Sequence, residues 1–158
     1  DEVGHGLGLG TTMNLPLPEG TTGDVYLRAF DEVVAPMVRW FCPTWLVISA
    51  GFDAHRRDPL TGLGLTSGDY ADVVGRLIDL VPAGRRLVIL EGGYDLQALA
   101  DSSAAVIGRL LGVDHRPEQA TSGGPGGTVA QSGTPGRSRR RRPGARPRSA
   151  APTCRPPR

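Results

Sequence analysis

The 158 residues contain no lysine; all 18 basic side chains are arginine. An absence this complete reflects a biased coding composition rather than a function. Cysteine is nearly as scarce. Cys42 and Cys154 form neither a C-x-x-C pair nor a disulfide framework, which excludes a small stapled scaffold and makes a reducing compartment the expectation. No apolar run approaches the ~20 residues needed to span a bilayer, and no signal-peptide pattern opens the chain. No membrane partner is therefore expected, and the expected location is cytoplasmic.

Acidic residues are missing between Gln119 and Arg158, a stretch with nine arginines and with Val129 as its only aliphatic side chain larger than alanine. It cannot bury enough apolar surface to offset its chain entropy, so the expectation is one folded unit over 1–113 and a disordered Arg/Pro/Gly-rich tail over 114–158. Residues 1–118 carry nine Arg against sixteen Asp and Glu, a net −7, and the remainder adds +9, giving the chain's +2. The folded part is thus acidic. Only the tail, around Arg139 to Arg142, offers an electrostatic site for nucleic acid or acidic partners. It lacks interleaved aromatics to stack bases.

Several catalytic spacings are also absent. There is no H-x-H or H-E-x-x-H, and without G-x-S-x-G a serine nucleophile at Ser49 fails. Gly6, Gly8 and Gly10 imitate a dinucleotide fingerprint, but its third glycine falls on Thr11, and Pro16 and Pro18 follow where a helix should begin. A flexible loop leading into a short strand, Thr12 to Leu17, is the expectation there.

What is present is an alternation of elements. Apolar residues at three- and four-residue spacing from Val25 to Phe41 predict a helix capped by Asp24 and kinked at Pro36. Leu46 to Ile48 predict a strand. Thr66 or Ser67 caps a second helix reaching about Val81, Arg86 to Leu90 form a second strong strand, and Leu96 to about Leu111 a last helix stopped by Gly112. Strands alternating with helices argue for an α/β fold with a parallel sheet. Both strong strands read as continuously apolar, as if buried on both faces.

Asp53 and Tyr94 stand at equivalent places just past these two strands, the edge where parallel α/β sheets gather ligands. A carboxylate suits zinc, a tyrosine hydroxyl can donate to a developing oxyanion, and Gly92 and Gly93 admit close backbone approach. The competing reading is a capping aspartate and a half-buried tyrosine. His55, in Asp53-Ala54-His55, reads as a solvated loop histidine, and Asp58 before Pro59 as a turn former.

Three segments, N-L-P-L-P from Asn14, S-A-G-F-D-A-H-R-R-D-P-L from Ser49 and L-E-G-G-Y-D-L from Leu90, occur in an order and spacing that resembles the carboxy-terminal part of the zinc-dependent histone deacetylase superfamily. Its bacterial members, of the acetoin-utilisation and acetylpolyamine amidohydrolase types, look closest, and the resemblance covers about residues 1 to 112. It implies the carboxy-terminal part of a three-layer parallel-sheet arginase/deacetylase-like fold. It further implies Asp53 as a Zn2+ ligand and Tyr94 as the residue that polarises the scissile carbonyl. Leu60 becomes a wall of the substrate tunnel, and Gly92 and Gly93 line its floor. His55 matches a family residue that is not a ligand. The implied reaction is hydrolysis of an acetyl-lysine or acetyl-amine amide, with an acetylated small molecule or acetyl-lysine as substrate.

The departures from the family are as informative. The D-x-H-H-G motif with its further ligands and the tandem histidine pair are not in the chain, and the tyrosine usual before N-x-P-L is replaced by Thr11 or Thr12. The expectation is a deacetylase fragment, inactive as an isolated chain. The alternative is a non-catalytic remnant or interaction module whose tail binds acidic partners or nucleic acid.

Overall fold

The computed structural model describes residues 2–121. The arginine run and Cys154 lie outside them. Strands β1 (Leu46–Ala50) and β2 (Arg86–Leu90) pair in parallel, with Leu46 opposite Arg86 and Ala50 opposite Leu90. Helix α3 (Ser67–Ile78) makes the crossover between them, and α4 (Leu96–Leu110) follows β2. The periodicity of the sequence predicted these four elements, apart from helix ends a residue or more short. Both helices lie on one face of the sheet. Ile48, Ala50 and Val88 meet Tyr70, Val74 and Ile78 of α3 and Val106 of α4 there, and these apolar contacts form the core.

Capping fixes where the helices begin. Thr66 accepts the Asp69 N–H and Asp69 accepts the Thr66 N–H (2.9 Å), a capping box in which aspartate replaces the usual glutamate. Asp95 caps α4 by accepting the Ala98 N–H at 2.6 Å.

The first helix is less regular than its apolar stripe predicts. It consists of α1 (Gly23–Ala29), a π-helical stretch (Phe30–Val34) and α2 (Ala35–Phe41). Pro36 has no N–H to donate and its ring crowds the preceding turn, and the wider π stretch just before it accommodates both defects. The N-cap is Thr22 in extended conformation rather than Asp24, whose carboxylate instead accepts the Thr22 hydroxyl. Cys42 closes the helix in the left-handed region (φ 58) and is not a free thiol, contrary to the sequence reading.

Two further expectations are corrected. Thr12 to Leu17 is not a strand, because no described strand lies alongside to pair with it and Pro16 has no N–H to offer. The strands are not buried on both faces. Among the described residues helices cover only one, and Val47, Leu87 and Ile89 on the other are 59%, 50% and 44% exposed. No described helix is long and apolar enough to cross a membrane.

Beyond Val113 the chain turns back across the start of α3. Arg116 pairs with Asp72 (2.7 Å), Gln119 O accepts the Thr66 hydroxyl (2.8 Å), and Thr121 donates through N–H and Oγ1 to Asp69 (2.9 and 2.8 Å). Gly68 lies directly under this strap, since a Cβ there would come within 2.3 Å of the Ala120 nitrogen.

Candidate functional site

The strand ladder continues one step past each strand. Glu91 N–H donates to Ala50 O (3.1 Å) and Phe52 N–H to Gly92 O (2.9 Å), so the loops bearing Asp53 and Tyr94 leave the same sheet edge side by side. The Asp53 carboxylate is half-buried between two glycines. A Cβ on Gly92 would come within 2.6 Å of Oδ2, and one on Gly51 within 3.1 Å of Oδ1. Glycine at 92 is therefore a steric requirement of the carboxylate's position, which adds a reason to the close backbone approach expected from sequence. Thr61 Oγ1 anchors the loop by donating to the Asp53 carbonyl at 2.7 Å. Among the described residues, no donor engages the carboxylate oxygens, and Asp53 caps no helix.

Phe52, beneath this loop, is 4% exposed and meets Tyr70 edge to face, with ring centroids 5.0 Å apart. Burial pushes the Tyr70 phenol far above its usual pKa, and the negative charge of Asp53 pushes it the same way. Tyr70 therefore stays neutral under Asp53. Gly93 has φ 127 and sits 3.1 Å, by its would-be Cβ, from Phe52 and 3.2 Å from Leu99. The conformation disfavours any side chain there, and the tight contacts add to it.

Tyr94 and Leu60 project outward, 59% and 62% exposed. Tyr94 is thus more open than the half-buried tyrosine of the competing reading. The backbones of Tyr94 and Leu60 are tied together by Asp58, which sequence treats only as a turn former. It does form the turn, accepting the Leu60 N–H on Oδ1 at 3.0 Å. Its Oδ2 also accepts the N–H groups of Tyr94 (2.6 Å) and Asp95 (3.2 Å). Burial acts to raise its pKa, but these three backbone donors and nearby His55 outweigh it and hold the carboxyl below the usual carboxylate range. The turn signal of Asp-Pro was readable; the second contact, 36 and 37 residues along the chain, left no local signal.

His55 is the clearest correction. It is fully buried, not solvated. Its Nδ1 accepts the Arg57 N–H (3.1 Å), so Nε2 carries the proton and donates to Glu118 (3.0 Å), which also pairs with Arg56. The polar neighbours of His55 in sequence disguise this, because the cover arrives from the strap. Among the described residues, no cluster of three or more His, Cys, Asp or Glu is placed to hold a metal. Asp53 fits the part of one oxygen ligand, with both carboxylate oxygens unengaged, but a zinc centre takes three or four.

The sequence pattern of the histone deacetylase domain matches residues 1–110. Histone deacetylase 10, chloroplastic, of Oryza sativa subsp. japonica is 45% identical over 115 residues, which is 70% of this chain and 26% of that protein. A probable deacetylase of Archaeoglobus fulgidus is 39% identical over 118 residues, 72% of this chain and 33% of that protein. Among solved structures, that of the histone deacetylase Clr3 superposes with a TM-score of 0.67 at 34% identity, covering 76% of this chain and 21% of the other. The crystal structure of the HDA15 HD domain gives 0.56 at 44% identity, covering 60% and 27%. The chain thus spans between a quarter and a third of the curated relatives just named.

Proposed function

Because this chain belongs to the histone deacetylase family, we propose that it carries the carboxy-terminal share of a zinc-dependent deacetylase site and is inactive by itself. The parent reaction is hydrolysis of an acetyl-lysine or acetyl-amine amide. One observation carries the reading: two neighbouring parallel strands deliver, from one edge, an uncommitted carboxylate at Asp53 and an outward-facing phenol at Tyr94.

Zinc, when bound, supplies Lewis acidity and a water acidified toward neutrality. This chain's residues would do the rest of what lies at this edge. Asp53 would hold the metal through its carboxylate, seated against Gly92. Tyr94 would donate its phenolic O–H to the oxyanion that develops as the amide carbonyl is attacked. Leu60 would offer an apolar wall to the acyl-bearing chain of the substrate, and Gly92 and Gly93 would let that chain pass close to backbone.

Inactivity follows from counting groups. One carboxylate and one hydroxyl complete neither a zinc site nor a proton-transfer pair. The purified chain, dialysed after zinc loading, is expected to retain less than one zinc per chain and not to turn over an acetyl-lysine peptide. Stoichiometric zinc or measurable turnover would overturn the inactivity. If either persisted in Asp53→Asn, the ligand assignment would fall too.

A further inference from the structure

We propose that Asp58 is a positioning residue that locks Tyr94 and Leu60 into one frame; this rests on the deacetylase reading of Tyr94 and Leu60. A turn needs one oxygen of an aspartate, and Oδ1 meets that need with the Leu60 N–H at 3.0 Å. The other oxygen reaches a different segment. Oδ2 takes the N–H of Tyr94 at 2.6 Å and of Asp95 at 3.2 Å, just past β2. Asp58 is 6% exposed, so these bonds face little competition from water.

The arrangement places Tyr94 through its backbone. Tyr94 is 59% exposed and no buried residue of the core cluster packs on it, so its placement is set by the loop from which it springs. That loop is held on three sides. Gly93 fits against Phe52 and Leu99, Asp95 caps α4 at 2.6 Å, and Asp58 grips the Tyr94 amide between them. An oxyanion donor works within a window of roughly 0.4 Å in distance, about 2.7–3.1 Å. Small displacements of such a group are costly to rate. The same carboxylate sets Leu60, so the proposed wall and the proposed donor move as one body.

Substitution separates positioning from bulk stability. Asp58→Asn keeps the shape but presents an NH2 where an N–H must be accepted, so one of the two loops loses its partner. Asp58→Ala releases both. The test uses the isotope-labelled 158-residue chain in solution. A scalar coupling across the hydrogen bond, from the Tyr94 amide nitrogen to the Asp58 carboxylate carbon, is expected in the unsubstituted chain; its absence would overturn the proposal. In Asp58→Asn and Asp58→Ala, amide exchange at Tyr94 and Asp95 should accelerate about tenfold or more, the equivalent of one lost hydrogen bond. The core amides of Val74 and Val106 should keep their protection. Unchanged exchange at Tyr94 and Asp95, or equal acceleration at the core amides, would contradict the assignment. Should Asp58→Ala not fold, the coupling in the unsubstituted chain and Asp58→Asn still decide. None of these readouts needs zinc or substrate, so a failure of the deacetylase reading and a failure of the Asp58 proposal register separately.

Discussion

A carboxylate oxygen of Asp53 lies so close to Gly92 that any side chain there would collide with it. Gly92→Ala is therefore expected to push the carboxylate aside, and because no described donor holds its oxygens the cost should stay within about 0.5 kcal/mol, read as a nearly unchanged denaturant midpoint. A loss above about 1 kcal/mol would mean that the carboxylate is fixed where it lies. Asp58 makes a prediction in pH. Its folded pKa is depressed, so its contribution is present above the unfolded value, near 3.9, and is lost as pH falls through the lower folded value. Stability should fall with acid in that window, and this part of the slope should vanish in Asp58→Asn. The places of Asp53 and Tyr94 were legible because each follows a strong strand within a few residues. His55 was misjudged, and the second role of Asp58 was missed beyond the turn it does form, because their partners, Glu118 and the Tyr94 and Asp95 amides, are distant in sequence and no local pattern announces them.

At the scale of elements, α3 depends on a small cluster at its amino end. Thr66 caps it, Asp69 completes the box, and the strap from Glu118 to Thr121 bonds to both. Thr66→Ala removes the cap and the bond to Gln119 O together and is expected to cost about 1–2 kcal/mol, at the upper end for an N-cap, by thermal or denaturant unfolding. A change within about 0.5 kcal/mol would place it with ordinary surface substitutions and show the cluster to be redundant. The helices and strands around this cluster were legible from periodicity and end signals. The π stretch before Pro36 was not, since the sequence says a proline must disturb the helix without saying how the disturbance is absorbed. The expected strand over Thr12 to Leu17 failed for a different reason. Strand propensity is a statement about fitting a pleated surface, and no described strand provides one there.

At the scale of the molecule, the described residues cover the sheet on one face only. Val47, Leu87 and Ile89 stand exposed, with Trp40, Phe41 and Trp45 also open to solvent. Exposed apolar surface of this extent binds hydrophobic probes. The purified chain should enhance anilinonaphthalene-sulfonate fluorescence, and Val47→Thr with Ile89→Thr should reduce it without loss of helical circular dichroism. The chain matches between a fifth and a third of the relatives compared with it, and the proposed site is partial in the same sense. The measurement that bears most directly on that claim is a zinc titration of the labelled chain followed amide by amide. Weak, saturable shifts centred on Gly51, Asp53 and Gly92, abolished in Asp53→Ala, are predicted; shifts centred elsewhere, or unchanged by that substitution, would contradict the account.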